Sequence, residues 1–199
     1  MSDIVELVAT AVHHTNEYGD FEILIFRDCR TDDEHVVLRR GNVHGPEPIL
    51  CRISSECTPG IVLDSAQCDC KQQLEYCLGK IAEANCGVIL YTREEGRGHG
   101  LTTKIRALAN VNAGMDTFQA IEALSLKADL RDYTAAAAIL KHLKVGPLRL
   151  LTNNPEKKIR LVEQSVEVVE ELHIPITPTD FSEPHLRAKQ FRGHTITFL

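Results

Sequence analysis

The 199-residue sequence predicts an α+β fold, a mixed β-sheet core with surrounding helices, and three observations carry that reading. The first fifty residues hold alternating segments of β-type residues. From Asp64 onward, apolar residues recur at helical spacing. Among those helical stretches stand two short apolar runs of strand type, at 87–92 and 148–151. With 43% hydrophobic residues the chain can bury a core without staples, and its length fits one domain better than two. That domain divides into a β-rich N-terminal part at about 1–56, an α/β part at about 57–172 and a C-terminal tail at about 173–199.

In chain order, GDFEILIFR reads as a strand, HVVLRR follows it after a polar turn, and PILCRISS follows the HGPEP turn. Leu74, Leu78 and Ile81 share a helix face, and Gly87 is a suitable residue to end that helix. GVILYT is the next strand, and the glycine-rich REEGRGHG leads from it into a helix over about Leu101 to Ala113, ended by Gly114. A third helix spans about Tyr133 to Leu143, with Ile139, Leu140 and Leu143 on one face. Val145-Gly146-Pro147 breaks it before the strand Leu148 to Leu151. Thr152-Asn153-Asn154-Pro155 reads as a cap with proline in the first turn of a new helix, and VEVVEE as a further strand. PITPTDFSEP is expected to be a loop or a partly mobile tail, and no internal repeat is found.

Composition narrows the function. The opening residues lack a basic segment followed by an apolar run and a cleavage site, and no stretch approaches membrane-spanning length, so a cytoplasmic protein without a membrane partner is expected. A formal net charge of −6 argues against a nucleic-acid binder, and any polyanionic ligand must be met by a local group of Arg and Lys. Seven cysteines, six of them between Cys51 and Cys86, point to metal or catalysis in a reducing compartment.

Cys57, ten intervening residues, then Cys68-Asp69-Cys70 offers three soft ligands suited to tetrahedral zinc. Three ligands leave a fourth position for an activated water, unless Cys51, Cys77, Cys86 or His99 closes a structural site. Cys29, Cys77 and Cys86 otherwise read as small core residues. Glu94 to Gly100 lies between a strand and a helix, where backbone amides can approach a phosphate. Arg93, Arg97, Lys104 and Arg106 stand near it, either as anion ligands or as a solvated helix face. Asp129 and Arg131 form either a catalytic pair or an ordinary ion pair. Thr152 to Lys158 is either an anion site or a plain helix cap.

Taken in register, RISSEC (52–57), Cys68-Asp69-Cys70, Glu95-Gly96-Arg97, ADLRDY (128–133) and LLTNNP (150–155) resemble GTP cyclohydrolase II from about Arg52 to the C-terminus. HLRAKQFRGH resembles that family's ending. The resemblance implies a homodimeric enzyme of riboflavin biosynthesis that hydrolyses GTP, opens the imidazole ring and releases formate and pyrophosphate, leaving a diaminopyrimidinone ribosyl phosphate. It implies one Zn2+ per chain on Cys57, Cys68 and Cys70, and Mg2+ with the triphosphate. It assigns Arg131 to attack or stabilisation at the α-phosphate and Asp129 to proton acceptance. It assigns Arg52, Ile53, Ser54, Ser55, Glu56, Gln73, Glu95, Gly96, Arg97, Thr117, Thr152 and Lys157 to contact with GTP or a related purine nucleotide. Gln73, one helical turn past Cys70, would offer its amide to the base edge, and Arg97 and Lys157 would suit the phosphates.

The chain departs from the family pattern at Ser54, Ile61, Gln67, Lys71 and His99, and most tellingly at Leu108, where the family usually has tyrosine. Loss of that hydroxyl removes a candidate proton donor, so an alternative is a reaction that stops at a formamidopyrimidine nucleotide or uses another purine nucleotide. A non-catalytic, zinc-stabilised nucleotide-binding module is the alternative of a different class.

Overall fold

A computed structural model describes residues 4–198, and its frame is one seven-stranded sheet in the order β1-β2-β3-β5-β4-β6-β7. β1 (Val5–His14), β2 (Asp20–Asp28) and β3 (Glu34–Arg40) form an antiparallel meander, and β3 pairs antiparallel with β5 (Gly87–Thr92). The other half is parallel: β5 with β4 (Ile49–Ser55), β4 with β6 (Leu148–Leu151), and β6 with β7 (Val168–Leu172). The described residues also form six α-helices: α1 (Cys70–Ala84), α2 (Gly100–Asn112), the short α3 (Gln119–Glu122), α4 (Thr134–His142), α5 (Pro155–Glu163) and α6 (Glu183–Phe191).

Side chains alternate across the pleat, and each face buries a different set. Cys51, Ile53, Val88, Leu90, Leu148 and Leu150 pack against Ile139 and Leu140 of α4 and Leu161 of α5. Ile89 and Leu151 turn to the opposite face and meet Cys77 and Ile81 of α1, with Leu186 of α6 and Ile196. Helices therefore cover both faces of the parallel half, the arrangement that buried parallel strands require.

Most elements lie where the sequence places them, and the differences have local causes. α1 ends on Asn85 in the left-handed region (φ 52°), and Gly87 opens β5 instead of capping the helix. β1 is not expected from the sequence, because every residue after Val5 is exposed and no alternation marks it. The end of PITPTDFSEP starts α6: Pro184 occupies its first turn, and Leu186 is fully buried. Cys29 is exposed and is no core residue, and half-buried Cys86 bonds through Sγ to the Asn42 carbonyl at 3.1 Å. Among the described residues no helix is long and apolar enough to cross a membrane.

The parallel half also creates the site. From β4 the chain passes through α1 to β5 on one side, then through α2, α3 and α4 to β6 on the other. Connections that diverge in this way leave a crevice outside the carboxyl ends of the strands. Cys57, the Glu94–Gly100 loop and Thr152–Asn154 follow directly at those ends.

Candidate active site

A cavity of about 220 Å³ occupies this crevice. Cys57 follows β4 and caps a π-helical turn over Thr58–Val62, whereas Cys68 and Cys70 flank the start of α1. The three sulfurs lie within 4.8 Å of one another, with Cys57 and Cys68 Sγ 3.7 Å apart. Tetrahedral zinc with Zn–S bonds of about 2.3 Å needs sulfurs roughly 3.8 Å apart, so the spacing suits the ion. Lys104 Nζ stands 3.0 Å from Cys57 Sγ and 2.6 Å from Glu95 Oε1. Three thiolates exceed the charge of a divalent ion by one, and this ammonium, shared with the Glu95 carboxylate, offsets part of the excess. Burial works against its charge, but Cys57 and Glu95 hold the Lys104 pKa above its ordinary range.

None of the side chains that could close the tetrahedron reaches it. Cys51 and Cys77 are buried in the two cores, Cys86 bonds to Asn42, and His99 Nε2 pairs with the Lys127 carbonyl at 2.7 Å. Among the described residues the group is three cysteines, which leaves a fourth direction for a ligand. Gly60 makes the group possible. A β-carbon there would lie 2.4 Å from Cys68 Sγ and 2.9 Å from Cys57 Sγ. Gly60→Ala is accordingly expected to weaken zinc retention by at least about tenfold, read by competition with a chromogenic chelator, since displacing a ligand exceeds an outer-shell change. Retention equal to the parent would show that the sulfurs have more room than the backbone allows.

The remaining wall is cationic. Arg52, Arg97, Lys104, Arg131, Lys157 and Lys189 line the cavity against two carboxylates, Glu56 and Glu94. In a protein of net charge −6, this is the local cluster that a polyanion needs. Arg97 lies in a tight turn over Glu95–Gly98, where it and Gly96 both have φ near 60°. A non-glycine residue rarely adopts that conformation. It is held there by Thr117, whose carbonyl accepts from Nη1 at 3.3 Å, and by the Phe118 ring at 3.9 Å. Lys157 is buried and donates to the Ile53 carbonyl at 2.6 Å. Burial first, then Arg52 and Arg131, pull its pKa well below the usual value. Arg52 Nε, Ser55 Oγ and His185 Nδ1 are buried without partners, and all three residues line the cavity. Orphaned polar atoms are rare in native proteins, and three around one cavity point to a ligand.

The structure distributes the expected site residues unevenly. Arg52, Ser54, Ser55, Glu56, Gln73, Gly96, Arg97, Thr117, Arg131, Thr152 and Lys157 line the cavity with the three cysteines. Ile53 turns its side chain into the core and contributes its carbonyl. Glu95 is buried behind the wall, where its carboxylate takes Thr58 N–H at 2.6 Å and Lys104. Asp129 stands outside the cavity and grips Arg131, whose Nε donates to Asp129 Oδ1 at 3.0 Å. Burial pushes the Asp129 pKa up, yet Arg131 prevails and holds it below the usual carboxylate range. Gln73 has both ends of its amide engaged: Nε2 donates to Asp69 Oδ2 and Oε1 accepts from Arg52, each at 2.5 Å. One N–H and one lone pair remain for a ligand. Arg106 faces solvent, and Arg93 pairs with Glu56 at 2.7 Å.

Among the cavity residues that the sequence does not mark as ligand contacts are Glu94, His185, Lys189 and His194. Glu94 neighbours an expected residue in the glycine-rich loop, which was a usable signal. The last three come from the tail, which folds back through contacts that the sequence does not display. Lys189 Nζ reaches Asp69 Oδ1 at 2.5 Å.

Comparison with known proteins adds an independent line. A family model described as GTP cyclohydrolase II matches residues 6–173. The chain is 42% identical to the GTP cyclohydrolase-2 of Acinetobacter baumannii over 189 residues, covering 94% of each. It is 42% identical to that of Cronobacter sakazakii over 181 residues, covering 90% of this chain and 92% of the relative. It is 39% identical over 183 residues to the riboflavin biosynthesis protein RibBA of Phocaeicola vulgatus, covering 92% of this chain and 45% of that protein.

Proposed function

The chain belongs to the GTP cyclohydrolase II family, and from that premise we propose that it hydrolyses GTP in riboflavin biosynthesis, opening the imidazole ring and releasing formate and pyrophosphate. The observation that carries this reading is the three-thiolate group with an open fourth direction in the same cavity as the cation cluster. Bound zinc would supply Lewis acidity and a water acidic enough to act near neutral pH.

The chain's own residues do the rest. Cys57, Cys68 and Cys70 would hold the ion, with Lys104 beside them to offset part of their charge. Gln73 offers its remaining N–H and lone pair to the base edge. Arg97, Arg131 and Lys157 hold the phosphates, and Ser55 Oγ and Arg52 Nε supply unpaired donors. Asp129 and Glu94 help keep Arg131 protonated against the effect of burial. This favours electrostatic stabilisation of charge at the α-phosphate over attack by the guanidinium. Mg2+ would arrive with the triphosphate, since the three cysteines form the one cluster of three or more Cys, His, Asp or Glu donors among the described residues. A homodimer fits the long edge strand β1, on which Val8 and Val12 are exposed.

One observation favours a shorter reaction. Leu108 lines the cavity beside Ala107 and Val111, and no tyrosine lines it. Leucine there offers no hydroxyl to help remove the formyl group, so a formamidopyrimidine nucleotide is the second reading. Mass spectrometry of products from GTP, with formate measured in parallel, decides between them. Stoichiometric formate establishes the full reaction, a hydrated product without formate establishes the shorter one, and unchanged GTP with the zinc-loaded protein sinks both.

A further inference from the structure

The family model ends at residue 173, yet the chain beyond it folds back over the cavity. α6 finishes in a Schellman motif: Gly193 N–H donates to the Gln190 carbonyl and His194 N–H to the Lys189 carbonyl, both at 3.0 Å. Gly193 lies at φ +88°, a conformation that other residues rarely adopt, and the turn it permits brings His194 back beside Lys189. One residue on, Thr195 N–H donates to the Asn153 carbonyl at 3.0 Å, pinning the strand end of the tail to the turn after β6. Leu186 and Ile196 are buried on the α1 face of the sheet beneath it. His194 is thus fixed from both sides by backbone bonds, and its ring faces the cavity.

Four cations stand around that ring, two of them held from behind by carboxylates, Lys189 by Asp69 and Arg131 by Asp129. Lys189 approaches from α6, Arg97 from the turn after β5, Arg131 from the segment before α4 and Lys157 from α5. Burial and these four cations push the His194 imidazole down to about 3, so the ring is neutral and holds one N–H to donate. No side-chain hydrogen bond to the ring is found among the described residues. His185, one turn before Lys189 on the same helix face, also lines the cavity with a buried, unpartnered Nδ1. Unsatisfied imidazoles among crowded cations are the complement of a multiply charged anion.

We propose that His194 contacts the polyphosphate of the bound nucleotide, and that the C-terminal segment is the wall that closes the cavity over the phosphates. The inference rests on reading the cavity as a nucleoside triphosphate site. Calorimetric titration of the zinc-loaded full chain with GTP, GMP and inorganic tripolyphosphate tests it. His194→Ala is expected to weaken GTP and tripolyphosphate by about tenfold, the scale of one hydrogen bond to a charged group, and GMP by less than about twofold. His194→Gln, which keeps an N–H donor, should recover most of the loss. Arg187→Ala, exposed on α6 and paired with Glu183, should bind all three like the parent. Parental GTP binding that is unchanged in His194→Ala overturns the proposal, as does an equal loss for GMP and GTP. A parent chain that binds neither GTP nor tripolyphosphate overturns the nucleotide reading itself.

Discussion

Replacing Cys68 with serine is expected to abolish turnover and empty the zinc site while leaving the fold intact. A serine hydroxyl is a hard, neutral donor at pH 7, so two thiolates remain where a stable open site needs three. The loss of activity should exceed about 100-fold, the upper range for merely disturbing groups behind the ligands. Metal analysis and formate release on the same preparation read both effects. The fold survives because the cysteines sit at the carboxyl edge of the sheet, outside the two cores around Ile139 and Ile81. Chelation should therefore remove activity and spare the thermal transition, with activity returning on added zinc. A variant that keeps turnover would remove the metal from the reaction. Collapse of the fold on chelation would make the site structural.

The second large effect is expected at Arg131. Arg131→Ala should lower kcat by about 10²–10³-fold, the usual consequence of losing one preorganised donor to developing charge. Arg131→Lys should restore little, because the planar fork bound to Asp129 is not matched by an ammonium. Asp129 lies outside the cavity and acts through Arg131, so Asp129→Asn should have a smaller effect. The double variant should be no worse than Arg131→Ala alone. Steady-state kinetics on the four proteins gives the comparison. Additive losses would show that Asp129 has work of its own.

Much of this was legible in the sequence because it depends on neighbours along the chain. The alternation of β2, the strand-type runs of β3 and β4 between their turns, the α4 face of Ile139, Leu140 and Leu143, and the Asn154-Pro155 helix start are local patterns, and each appears where its residues indicate. β1 left little trace, since its residues after Val5 bury nothing, and its place comes from pairing with β2. α6 was hidden by its proline and charges, because its single buried apolar residue, Leu186, finds a partner only in the core on the α1 face of the sheet.

For the three cysteines, the sequence by itself determined which residues could hold a metal, since ligand chemistry travels with side-chain type. Only the tertiary structure decided that, among the described residues, no further Cys, His, Asp or Glu joins the group, that Lys104 stands beside Cys57, and that Gly60 leaves them room. Likewise, the resemblance of the sequence to the family pointed Arg97 and Lys157 to the phosphates and Arg131 to the α-phosphate. It could not show that the tail brings Lys189 and His194 to the same wall. The reason is physical: backbone and side-chain preferences act over a few residues, whereas the charge and shape of a cavity arise where segments far apart in the chain are packed together.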